Sequence, residues 1–125
     1  MSEAVENEAA GQVPLHASAA QKMGAFHTDV VQTVSRLVES NDVVVVGMGW
    51  NPHVSRARKA LDAAGIDYAY HEIGNYAGQW KPRLAVKIWS GWPTFPQVFV
   101  KQALLGGADE LQKALESGEL STLLA

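Results

Sequence analysis

The sequence predicts a single small α/β domain, a four-stranded mixed sheet with helices on both faces. Three observations lead there. Val43-Val44-Val45-Val46 is a β-branched run, apolar at every position, as expected of a strand buried on both sides. Asn51-Pro52 follows that run after the loop Gly47-Met48-Gly49-Trp50, and turns the chain into a helix. Asn is a strong N-cap, and Pro suits the first helical position, where its missing N–H costs nothing. Tyr68 to Ile73 then reads as a second strand, so the unit is β-α-β, which demands a parallel pair with a right-handed crossover. Gln97 to Val100 and Ala103 to Leu105 lie two residues apart and read as a hairpin, which adds an antiparallel pair.

Taken in order, residues 1–24 are rich in Ala, Glu, Ser and Gln and offer little to bury, which predicts a flexible tail before a domain over 25–125. Thr28 is placed to cap a helix reaching Ser40. Val30, Val31, Val34, Leu37 and Val38 form its apolar stripe. The helix from Pro52 to Ala64 turns Val54, Ala57, Leu61 and Ala64 to one side, with Gly65 as its stop. Arg56, Arg58 and Lys59 read as its solvated face. Asn75 to Lys81 is a loop, and Pro82 opens a helix from Arg83 to Ser90 that ends at Gly91. Trp92-Pro93-Thr94-Phe95-Pro96 is too rich in proline for a central strand. Lys101-Gln102 lacks the Asn/Gly chemistry of tight hairpin turns. Asp109 caps or enters an amphipathic helix with Leu111 and Leu115 inward, Gly118 stops it, and a short helix over 119–124 closes the chain.

Composition narrows the function. A chain of 125 residues suffices for one core, and a net charge of −3 gives no bulk attraction to nucleic acid or to an anionic membrane. No apolar run approaches the ~18–20 residues that span a bilayer. The first residues carry no secretory h-region, and Glu3, Glu6 and Glu8 without Arg argue against a mitochondrial transit peptide, so a cytoplasmic location is expected. Cysteine is absent, which excludes disulfides, thiolate metal sites and a thiol nucleophile. His16, His27, His53 and His71 have no metal-ligand spacing, and Ser55 has no evident base partner.

Three stretches carry a resemblance. Trp50-Asn51-Pro52-His53-Val54 stands where a glutaredoxin has an aromatic followed by Cys-Pro-Tyr-Cys. Trp92-Pro93-Thr94-Phe95-Pro96-Gln97-Val98 resembles the Trp-Pro-Thr-x-Pro-Gln-Val stretch of monothiol glutaredoxins, and Gly106-Gly107-Ala108-Asp109-Glu110-Leu111 their Gly-Gly-Cys-Asp-x-Leu. The resemblance implies a thioredoxin-like fold, a cis Pro96, and a glutathione site made by Arg83, Thr94, Phe95, Pro96, Gly106, Gly107, Ala108 and Asp109, with Trp50 and Trp92 as walls. Departures from the family pattern fall at its centre. Asn51 replaces the nucleophilic cysteine, Val54 the second cysteine or serine, Met48 the lysine before the loop, and Ala108 a frequent cysteine. The five-residue loop insertion of monothiol members is missing.

Asn51 keeps the helix cap but cannot attack a disulfide, so thiol–disulfide exchange by this chain alone is excluded. An iron–sulfur cluster bridged with glutathione needs the same thiolate and is not expected. Glutathione binding survives the loss, since helix N-terminal amides bind carboxylates and Asp109 can accept from the γ-glutamyl amine. Losing the lysine removes one of two contacts to the glycyl carboxylate, at ~1.5–3 kcal/mol, roughly ten- to a hundredfold in affinity. The expected function is a redox-inactive module that binds glutathione or another small thiol weakly, or a protein partner. The alternatives are a transferase-like enzyme that stabilises the glutathione thiolate at the Asn51 helix start, with His53 as a candidate base, and a structural domain with a vestigial groove.

Overall fold

The computed structural model describes residues 13–125 together with the backbone of the two-residue strand β1 (Ala4–Val5). The order is β1, β2 (Leu15–His16), α1 (Ala17–Ala25), α2 (Thr28–Ser40), β3 (Val43–Gly47), α3 (Pro52–Ala63), β4 (Ala69–Glu72), α4 (Trp80–Ser90), β5 (Gln97–Val100), β6 (Ala103–Gly106), α5 (Ala108–Ser117) and α6 (Glu119–Leu124). The main sheet is four-stranded in the order β4-β3-β5-β6. β3 and β4 are parallel, with Val44 opposite Ala69; β3–β5 and β5–β6 are antiparallel. This is the α/β, thioredoxin-like arrangement that the sequence predicts.

The valine run explains the layering. Strand geometry points alternate residues to opposite faces. Val44 and Val46 join Val34 and Val38 of α2, Val86 of α4 and Phe99 in one core cluster. Val43 and Val45 join Ala57 and Leu61 of α3, Leu111 and Ala114 of α5 and Leu120 of α6 in the other. All four valines are almost wholly buried, each contributing roughly 1.5–3 kcal/mol. The order of elements therefore fixes two helical layers around a strand with no solvent face.

Several expectations are corrected. Much of the stretch read as a flexible tail lies outside the described residues. Within them, Leu15–His16 pairs with β1 and residues 17–25 form α1, an Ala-rich helix whose low apolar content hid it. Thr28 does not cap α2: its hydroxyl donates to the Ala25 carbonyl at 2.8 Å, and His27 holds the cap position at φ 47°. α4 begins at Trp80, two residues before Pro82, which still falls in the first turn where its N–H is not needed. Asp109 enters α5 as its second residue, after Gly107.

The hairpin turn is made without Asn or Gly. Lys101 and Gln102 both hold positive φ, 50° and 69°, as a tight hairpin requires. Side interactions stand in for residue preference. Lys101 donates its amide to the Asp42 carbonyl at 2.8 Å, and its ammonium lies 3.2 Å from the Asp42 carboxylate. The turn is thereby anchored to the loop before β3.

Candidate functional site

The carboxyl end of β3 delivers the chain to the start of α3. Asn51, in extended backbone, accepts from the amides of His53 at 2.9 Å and Val54 at 3.1 Å through its side-chain oxygen. Two of the orphan donors of the helix start are thus satisfied inside the chain. The Asn51 amide nitrogen points the other way, 3.4 Å from the Tyr76 hydroxyl. Trp50, at φ 62°, is 70% exposed.

Next to this helix start lies a cavity of about 210 Å³. Trp92, Thr94, Phe95 and Pro96 form one side, and the Phe95–Pro96 bond is cis. Gly107, Ala108, Asp109 and Glu110 of the α5 start form another, and His53 and Arg56 of α3 a third. The sheet order explains the meeting: β5 runs beside β3, so the segment that enters β5 comes to the same end as the start of α3. β6 then feeds α5 into the same corner.

Arg56 joins the two helices across this cavity. Its Nη2 donates to Asp109 Oδ1 at 2.9 Å and lies 3.2 Å from His53 Nδ1. The Arg56 guanidinium holds the Asp109 carboxyl below its ordinary range, through the hydrogen bond first and charge second. A guanidinium has only donors, so Nδ1 of His53 accepts and the neutral ring carries its proton on Nε2. Glu110 is engaged as well: its Oε1 accepts from the Gly107 amide at 2.9 Å. Gly106 makes room for that fold-back. Its φ is 135°, and a Cβ there would stand 2.6 Å from Glu110 Cγ.

The structure brings Thr94, Phe95, Pro96, Gly107, Ala108, Asp109 and Trp92 together, as the sequence reading expected of them. It separates three others. Arg83 is buried and clamps the loop after β4, donating Nη1 to the carbonyls of Ile73 at 3.1 Å and Gly78 at 2.7 Å, so it is not in the cavity wall. Trp50 is exposed outside the lining, and Gly106 lies behind it under Glu110. Met48, at the position of the missing lysine, is a core residue. Sequence reasoning missed Arg56, Glu110 and Tyr76. Arg56 stands three residues after His53, a spacing that places both on one helix face, and that was the available signal. Its carboxylate partner is 53 residues away and had none. His53 is not free to act as a base at Nδ1, where Arg56 donates. Among the described residues no cluster of three or more His, Asp or Glu is arranged to hold a metal. No helix among them is long and apolar enough to cross a membrane.

A glutaredoxin family model matches residues 43–105, from the central strand to the last. A glutaredoxin-like protein of Dictyostelium discoideum is 45% identical over 95 residues, 76% of this chain and 77% of that protein. A probable monothiol glutaredoxin of Legionella pneumophila is 37% identical over 70 residues, 56% of this chain and 75% of that one. Among solved structures, a buckwheat glutaredoxin–glutathione complex superposes with a TM-score of 0.69 at 26% identity, covering 80% of this chain and 91% of that one.

Proposed function

The chain belongs to the glutaredoxin family, and we propose that within it this protein is a binding module for glutathione or a similar small thiol, without thiol–disulfide exchange of its own. One observation carries the reading. The amides of His53 and Val54, which at a helix start would cradle a thiolate, are taken by the Asn51 side chain, while the adjoining peptide-sized cavity is retained. The reactive half of the site is replaced by a structural cap, and the binding half keeps its walls.

The residues present suit the tripeptide. Thr94, Phe95 and Pro96 line an extended edge, and the free amides at the start of α5 suit a carboxylate. Trp92 has its indole N–H buried without an acceptor among the described residues, which a ligand oxygen would satisfy. They do not suit an iron–sulfur cluster, because the chain has no cysteine to ligate one.

The same cap weakens the transferase alternative. A thiolate of bound glutathione would compete with Asn51 for the α3 amides, and Asn51 Nδ2 is engaged with Tyr76. Calorimetric titration with reduced glutathione at low millimolar concentration tests the reading. Saturable heat is expected, and its absence leaves a vestigial groove. Asn51→Cys provides the second arm: it should gain glutathione-dependent disulfide reduction, since the cavity is already in place. An inert, folded Asn51→Cys protein would contradict the reading.

A further inference from the structure

We propose that Arg56 sets the ligand specificity of this pocket, making it a receptor for an acidic, extended peptide-like small molecule that lacks a free ammonium group. The inference rests on the binding function just proposed and narrows the class of ligand.

The cavity wall holds two carboxylates, and both are engaged within the chain. Asp109 accepts from Arg56 at 2.9 Å, and Glu110 accepts from the Gly107 amide at 2.9 Å. The groups left over are donors. Arg56 has five N–H groups, and its two recorded contacts both use Nη2. The first intrahelical bond of α5 is made by the Leu111 amide to Gly107, so the amides of Ala108, Asp109 and Glu110 have no partner within the helix. His53 carries its neutral-ring proton on Nε2, and the Trp92 indole N–H is buried without an acceptor among the described residues. Lys113, one turn further along α5, adds positive potential at Asp109.

A ligand rich in acceptors satisfies this wall, whereas a ligand ammonium finds its natural carboxylate already held. To seat there it must displace Arg56 from Asp109. The Arg56–Asp109 pair is exposed on both partners, so the discrimination is modest: about three- to fivefold in affinity, the range of a solvent-exposed ion pair.

The test is calorimetry on the full chain with two probes, reduced glutathione and glutathione acetylated on its amine. The unmodified protein is expected to bind the acetylated probe at least as tightly as glutathione. In Arg56→Ala, and in Arg56→Gln, which keeps the length of the side chain, Asp109 is released and the order should reverse by about threefold or more. Asp109→Asn should retain the preference for the acetylated probe. A merely structural Arg56 would change both affinities together and leave their ratio unmoved. An unmoved ratio, or a preference for glutathione in the unmodified protein, overturns this proposal while leaving the binding function intact. Failure of either probe to bind any variant overturns both.

Discussion

The Arg83 guanidinium donates to the Gly78 carbonyl at 2.7 Å. The same nitrogen reaches the Ile73 carbonyl at 3.1 Å, so a buried cation on α4 holds both ends of the loop that follows β4. That loop in turn supports the carboxyl end of β3, because the Gly49 amide donates to the Gly74 carbonyl at 2.7 Å. Arg83 therefore acts on the site from behind, by fixing the turn from which Asn51 is presented.

Arg83→Ala leaves those carbonyls short of a charged donor in a closed setting. We expect a loss of about 2–4 kcal/mol in denaturant unfolding. Arg83→Lys should recover only part of it, since a single ammonium cannot reproduce the guanidinium fork. A variant as stable as the parent would show that the loop holds itself.

Asn51→Ala removes the cap of α3. The expected cost is about 1 kcal/mol, read as a shift of the urea midpoint without a change in slope. Asn51→Asp keeps the acceptor, and its charge at the helix start should leave stability at or above the parent value. Neither change adds redox activity, so the pair separates capping from chemistry.

The Asp109 carboxyl is expected to titrate below an ordinary aspartate in a carbon-detected NMR titration, because Arg56 favours its ionised form. A lowered pKa in the folded state stabilises the fold above the unfolded pKa, and that contribution is lost as the pH falls through the folded one. In Arg56→Ala the midpoint should return toward the ordinary value. No movement would mean that the pair does not persist in solution.

Tyr70 behaves in the opposite sense. Burial, followed by its hydrogen bond to Glu72 Oε1 at 2.8 Å, pushes its phenol up to about 12, against a weaker opposing pull from Arg58 stacked over the ring. A raised pKa stabilises the fold below the unfolded value near 10, and the contribution is lost as the pH rises through about 12. Absorbance titration at the tyrosinate band should therefore show one phenol ionising late, and Tyr70→Phe should remove that phase.

How much of this was legible depended on how local its cause was. The valine run, the Asn51-Pro52 helix start and the Gly65 stop each carry their reason within a few residues, and the fold follows from them. α1 was hidden because alanine favours a helix without supplying a stripe to detect. The site was legible in its peptide-like edge, residues 92–96, and in the start of α5. It was not legible in its cations. Arg56 and Arg83 both look like solvated helix residues in sequence, and only the crossing of distant segments decides that one spans a cavity and the other is buried under a loop.

Gly47 carries a consequence for how the sheet is aligned. Four identical valines give β3 no internal mark of register, since sliding by one exchanges valine for valine on both faces. The glycine that ends the strand supplies the mark. A Cβ at that point would stand 2.6 Å from Val54 Cγ1 and 2.9 Å from Tyr70 Cε1, so a valine slid into its place collides with α3 and β4 together. A slide in the other direction puts the glycine where Val46 fills the core and leaves a void. One residue without a side chain thus acts as the locating pin for a strand that would otherwise fit its neighbours at several offsets.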